Sequence, residues 1–347
     1  MKGGTTNAVV LTGIKPSGRI HLGNYLGSIR PALELVPGNQ AYFFIADYHA
    51  LTTVHDPEKL NRHIEAITAT WLAMGLDPEE TIFYRQSAVP EIFELTWVLA
   101  CVTPKGLLNR AHAYKAALET NLNAGKDADA NINAGLFNYP LLMAADILCF
   151  QADLVPVGRD QRQHVEIARD VAAAFNRSFL PVFKLPHAWI PGNSQTVPGL
   201  DGRKMSKTYA NEIPLLADTD VLRRLVMRIV TDGRRPEAPK DPEQCNVFAI
   251  YRHFADGDEV TRLRHRYLAG GVGYRKVKED LADLLIDRFA PARRRYSELM
   301  ADRDGLASIL EQGAARAREA ARETLGRVRR AVGIGPMPAT KDMTNLY

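Results

Sequence analysis

The apolar positions of this chain fall into two patterns. Short runs rich in β-branched and aromatic residues occur at 8–14 (AVVLTGI), 41–46 (AYFFIA), 81–84 (TIFY) and 154–157 (LVPV). Each reads as a buried strand. Between them, apolar residues recur at helical spacing over 22–35, 57–74, 91–101 and 160–175. In the last of these, Val165, Ile167, Ala168, Val171, Ala172 and Phe175 share a face. Buried strands that alternate with amphipathic helices predict a parallel sheet built from right-handed crossovers. Ligands of such sheets bind beyond the carboxyl ends of the strands. The turn within 12–24 is therefore the expected site. It lacks GxGxxG, so the dinucleotide-binding variant is excluded.

After about residue 211 the texture changes. Segments 220–230, 247–255, 260–268, 276–289, 291–301 and 305–331 read as helices, and few strand-like runs remain. The stretch before the change is loop-rich, with Pro191-Gly192-Asn193-Ser194 and then Pro198-Gly199-Leu200-Asp201-Gly202. The expected fold class is α/β. A Rossmann-like parallel-sheet domain spans 1–211, and an all-helical domain spans 212–347. The last helix of the second domain can pack back on the first.

Charge adds to this division. The chain carries a formal net charge of +4. Residues 212–347 hold 25 Lys and Arg against 21 Asp and Glu, which leaves 19 of each in residues 1–211. Within 262–330 the balance is 17 basic to 10 acidic. A polyanion such as RNA is one partner this fits, and a solvated arginine-rich helical surface is the other reading. Cys101, Cys149 and Cys245 are scattered and form no CxxC pair. No protein-held metal is expected, and a reducing cytoplasm fits. The first residues do not resemble a signal peptide, and no apolar run reaches the roughly 18 residues of a membrane span.

Two segments carry phosphate chemistry. In Pro16-Ser17-Gly18-Arg19-Ile20-His21-Leu22-Gly23-Asn24 a strand ends in a turn and a helix begins. His21 and Asn24, three residues apart, can face one ligand. Gly23 lets a base or ribose approach the backbone, and a helix N-terminus favours phosphate. Taken alone, this is also how a capped strand–helix turn looks. In Lys204-Met205-Ser206-Lys207-Thr208, two lysines on a glycine-flanked loop can neutralise charge that develops on a leaving pyrophosphate. Alone, it is also a solvated basic loop.

The two segments, in this order and roughly 180 residues apart, resemble the HIGH and KMSKS signatures of class I aminoacyl-tRNA synthetases. Three further blocks resemble the bacterial tryptophanyl branch of that family. They are Phe44–Thr52 (FIADYHALT), Asn138–Leu148 (NYPLLMAADIL) and Val155–His164 (VPVGRDQRQH). The resemblance is dense over about 9–215. It departs at Lys15, where many members have Gln, and at Thr208, which replaces the final serine of KMSKS. Some members hold a cysteine-ligated iron–sulfur cluster, which the cysteine spacing here does not support.

The resemblance implies adenylation of L-tryptophan by ATP with Mg²⁺, then transfer to tRNA(Trp) by a cytoplasmic homodimer with no membrane association. It assigns catalysis to His21, Asn24, Lys204 and Lys207. ATP would be held by Lys15, Pro16, Ser17, Gly23, Asn24, Gly158, Arg159, Asp160, Val197 and the segment Lys204, Met205, Ser206, Lys207, Thr208. Tryptophan would be held by Asp146, Met143, Tyr139, Gln161 and His49. In this assignment Asp146 accepts the indole N–H, and a site so built rejects a side chain that lacks the donor. Met143 packs on the indole, Tyr139 and Gln161 take the α-amino group, and His49 completes the polar end. Residues 212–347 would contact the anticodon region. The alternatives are a tyrosyl-type synthetase, an adenylating nucleotidyltransferase that uses no tRNA, and a non-catalytic RNA-binding relative.

Overall fold

A computed structural model describes residues 7–158, 161–191 and 196–335. Along the chain run β1 (Val9–Ile14), α1 (Leu22–Asn24), α2 (Arg30–Leu33), β2 (Gln40–Ile45), α3 (Asp47–Ala50), α4 (Pro57–Ala73), β3 (Thr81–Arg85) and α5 (Glu91–Ala100). Next come α6 (Lys105–Leu108), α7 (His112–Asn123), α8 (Ala134–Cys149), β4 (Leu154–Pro156), α9 (Arg162–Ser178) and β5 (His187–Trp189). Helices α10 (Thr219–Met227), α11 (Asn246–Tyr251), α12 (Gly257–Ala269), α13 (Tyr274–Ala301) and α14 (Arg303–Val332) complete it. Among the described residues no helix is long and apolar enough to cross a membrane.

The strands form one sheet in the order β3-β2-β1-β4-β5, with every pair parallel. Strand order reverses between β1 and β4, so the crevice beyond their carboxyl ends is the natural ligand position. The interior strand β2 is buried along almost its whole length, as its unbroken apolar run requires. Strand β5 escapes the hydrophobic pattern. It has three residues and a half-exposed edge, and only pairing to β4 defines it.

Two helices differ from their expected form. The 22–35 stretch is not one regular helix: α1 opens into a π turn at Tyr25–Ile29 before α2. The widening lies just ahead of Pro31, which has no N–H to give the Gly27 carbonyl. Conversely, α13 runs through Pro291 instead of breaking there. The Arg293 guanidinium donates to the Ile286 carbonyl, supplying a donor in the turn that the proline disrupts.

Helix α14 lies against β3, an edge strand of the sheet. A Cβ on Gly313 would stand 1.8 Å from the Phe83 carbonyl oxygen, so glycine sets the approach. Arg318 and Arg322 both bond the buried Glu91 of α5, and Arg329 pairs with Glu94. One continuous apolar cluster joins Val10 and Phe43 of the sheet to Ile213, Phe248 and Leu285 beyond it. The sheet and the later helices thus share a core.

Candidate active site

The segment after β1 turns under the sheet's carboxyl edge. His21 caps α1 reciprocally with Asn24. The Asn24 N–H reaches His21 Nδ1 at 3.3 Å, and the His21 N–H reaches Asn24 Oδ1 at 3.2 Å. His21 is 6% exposed. Burial, assisted by the charge of Lys207, pushes its pKa down to about 4. The imidazole is therefore neutral at neutral pH.

The loop bearing Lys204 and Lys207 closes on this turn. Residues 197–205 form a narrow hairpin, in which the Met205 N–H meets the Val197 carbonyl at 2.9 Å and Pro198 bridges to Lys204. Met205 is buried and lies over Gly23, 3.6 Å from where a Cβ would be. The Lys207 side chain crosses Gly18 at 3.5 Å by the same measure. Burial lowers the Lys207 pKa, and Glu212 opposes the shift. The structure thus brings Gly18, His21, Gly23, Asn24, Met205 and Lys207 together, although roughly 180 residues separate the two segments. Lys204, Thr208 and Ser17 are exposed, Ser206 is half-buried and Pro16 is buried. The Ser206 hydroxyl accepts the Thr208 N–H at 3.3 Å. Lys15 turns toward Thr52 (2.9 Å), whose hydroxyl donates to the His49 carbonyl. Burial lowers the Lys15 pKa.

A second cluster lies on α8. Asp146 is fully buried. Its Oδ2 contacts His49 Nε2 at 2.9 Å, and both its oxygens accept from Gln86 Nε2 at 2.8 and 2.9 Å. Burial pushes the Asp146 pKa up, against the pull of these bonds. Two carboxylate oxygens offer about four acceptor sites, so capacity remains for one more donor. The structure puts His49 between Asp146, which it bonds, and Tyr139, whose ring it meets edge-on with centroids 6.2 Å apart. Gln86 is a member the sequence reading missed. Its one signal is position: it is a polar residue directly after the carboxyl end of β3. Its side-chain Oε1 accepts the Tyr48 N–H at 3.2 Å. Below the cluster, the buried Tyr84 hydroxyl has no hydrogen-bond partner among the described residues.

Tyr139, on the same helix, bonds His164 Nε2, and His164 Nδ1 meets Gln161 Oε1 at 3.0 Å. The phenol of Tyr139 is pushed up to about 12 by burial. Tyr139 and Gln161 are thus joined through one imidazole. Met143 is half-buried on α8, and Gly158 follows β4 at the switch point. Arg159 and Asp160 lie outside the described residues.

The turn and loop offer lysine ammonium groups and a neutral imidazole. The α8 cluster offers a buried carboxylate with hydroxyl and amide oxygens. The first set suits phosphate. The second suits a planar ring with one N–H and an ammonium group.

Comparison with known proteins points the same way. The model of the family described as tRNA synthetases class I (W and Y) matches residues 3–290. A tryptophan–tRNA ligase of Neisseria meningitidis is 48% identical over 331 residues, covering 94% of this chain and 98% of that protein. The one from Pseudomonas aeruginosa is 50% identical over 330 residues, covering 94% and 73%. The crystal structure of tryptophanyl-tRNA synthetase from Campylobacter jejuni, complexed with ADP and tryptophan, aligns with a TM-score of 0.85 at 42% identity, covering 94% and 99%. The chain belongs to the class I tRNA synthetases for tryptophan and tyrosine.

Proposed function

We propose that this enzyme joins L-tryptophan to ATP and transfers the activated amino acid to tRNA(Trp). The observation that carries the reading is the contact between the His21–Asn24 turn and the Lys204–Thr208 loop at the strand-order switch. In the first step the tryptophan carboxylate attacks the α-phosphorus in line, and pyrophosphate leaves. No enzyme nucleophile is needed; the work is alignment and stabilisation of spread negative charge. His21, Asn24, Lys204 and Lys207 do this work, with Lys15 as an added cation. Gly158 and Asp160 hold the ribose. Mg²⁺ arrives on the nucleotide as part of the substrate, because the lysine-rich donors of the turn and loop suit phosphate oxygen and not a metal ion.

The indole N–H is given to Asp146, with Met143 against the ring. Tyr139 and Gln161 accept from the α-ammonium. The buried acceptor favours tryptophan over the tyrosyl alternative, whose phenol would bring a different donor position. Residues 1–211 act as the catalytic part and residues 212–347 as the anticodon-binding part. The working form is a cytoplasmic homodimer.

The test is ATP–pyrophosphate exchange with each of the twenty amino acids, followed by charging of tRNA(Trp). Exchange driven by tryptophan alone is expected. Exchange with tyrosine, or exchange with no charging, would replace the reading with one of its alternatives.

A further inference from the structure

Asn211 ends the loop that carries Lys204 and Lys207, at the point where the sequence texture changes. It is 2% exposed, and each polar group of its side chain is engaged. Oδ1 accepts the Ser206 N–H at 2.8 Å. Nδ2 donates to Asp201 Oδ1 at 2.6 Å and to the Lys204 carbonyl at 3.2 Å. The Asn211 carbonyl accepts the Leu200 N–H at 2.8 Å. The chain passes so close that a Cβ on Gly199 would meet the Asn211 amide at 2.4 Å. Two residues later the Ile213 carbonyl accepts the Leu22 N–H at 3.0 Å, and the Leu215 N–H reaches the Ile20 carbonyl at 2.9 Å. One buried amide therefore ties the loop backbone to a segment bonded directly to the His21 turn.

We propose that Asn211 is a positioning residue for adenylation. Its amide fixes the backbone of Lys204 and Ser206 relative to His21, and so fixes where the ammonium groups of Lys204 and Lys207 meet the triphosphate. This inference rests on the adenylation reading above. The residue type follows from the contacts: only an amide offers an acceptor and two N–H donors in one plane. Aspartate has the same shape but no donor, and it would set a second carboxylate against Asp201. Tryptophan binding should not register the change, because none of the Asn211 partners belongs to the Asp146 or Tyr139 clusters.

The experiment uses the full-length enzyme. Asn211→Asp is expected to lower kcat/KM for ATP in pyrophosphate exchange about a hundredfold, the order of loss for a misplacement near 1 Å. KM for tryptophan and its equilibrium binding without ATP are expected to stay within about twofold of the unsubstituted enzyme, because the tryptophan-holding groups are untouched. Combining Asn211→Asp with Asp201→Asn exchanges donor and acceptor between the two positions and keeps the acceptor for Ser206. It is expected to recover about tenfold of the loss. Unchanged exchange in the single variant would overturn the proposal. So would a parallel loss of tryptophan affinity, or no recovery in the exchanged pair. No exchange in the unsubstituted enzyme would overturn the adenylation reading itself, and this inference with it.

Discussion

Lys207 gives up part of its hydration where it lies against Gly18 and His21, and burial lowers its pKa accordingly. A partly desolvated ammonium gains most when a phosphate approaches, because the field between them is poorly screened. Lys207→Ala is therefore expected to cost about 10²–10³-fold in ATP–pyrophosphate exchange, with circular dichroism unchanged. Undiminished exchange would remove Lys207 from the chemistry. Asp146 calls for a different measurement. Its carboxylate is anchored by His49 and Gln86, so its orientation is set before substrate arrives. Asp146→Asn keeps the volume but turns one acceptor into a donor that faces the indole N–H or the Gln86 amide. Selectivity for tryptophan over phenylalanine, measured as the ratio of kcat/KM in exchange, is expected to fall by about a hundredfold or more. Preserved selectivity would move the indole contact elsewhere. The residues that were legible beforehand, such as His21, Asn24 and Lys207, sit in short segments whose chemistry is local. Gln86 and Asn211 were not legible. A glutamine after a strand and an asparagine after a loop are common, and only the fold reveals that Gln86 reaches a carboxylate 60 positions away.

At the scale of elements, periodicity found the strands that are buried on both faces and missed β5, whose three residues make an edge. It also split α13 at Pro291, because a proline costs an interior helix about 3 kcal/mol in isolation. Here packing of α13 and a bond from Arg293 outweigh that cost. The return of the last helix to the first domain was expected, but the place where it docks on β3 could not be read from the helix itself, since its glycine looks like a weak point. Gly313→Ala separates the two views by sign. On helix propensity alone the change would stabilise by about 1 kcal/mol. Against the Phe83 carbonyl, 1.8 Å from the new Cβ, it must push α14 off the sheet edge. A loss of about 1–3 kcal/mol or more is expected, seen as a lower thermal midpoint. A raised midpoint would show that α14 does not depend on this contact.

For the whole molecule, the surplus of arginine after residue 261 first suggested an RNA-facing surface. The structure divides that surplus. On α14, Arg318 and Arg322 are spent on Glu91 and Arg329 on Glu94, while Arg316 bonds the carbonyls of Pro78 and Glu79. These side chains hold the last helix to α5 and the sheet edge. On α12, Arg262 and Arg266 are exposed, and no ion pair engages either among the described residues. A cation already neutralised by a carboxylate releases fewer counterions when it meets a phosphate, so the two groups should differ in their effect on salt dependence. Binding of tRNA(Trp) to the intact chain should weaken linearly in log salt. The intact chain is required because the later helices share their core with the sheet. Joint replacement of Arg262 and Arg266 by alanine should reduce the slope by about one to two. Arg329→Ala should leave the slope unchanged and lower the thermal midpoint. If Arg329→Ala flattens the slope while the α12 pair does not, the RNA lies along α14, and the contacts with Glu91 and Glu94 must open when it binds.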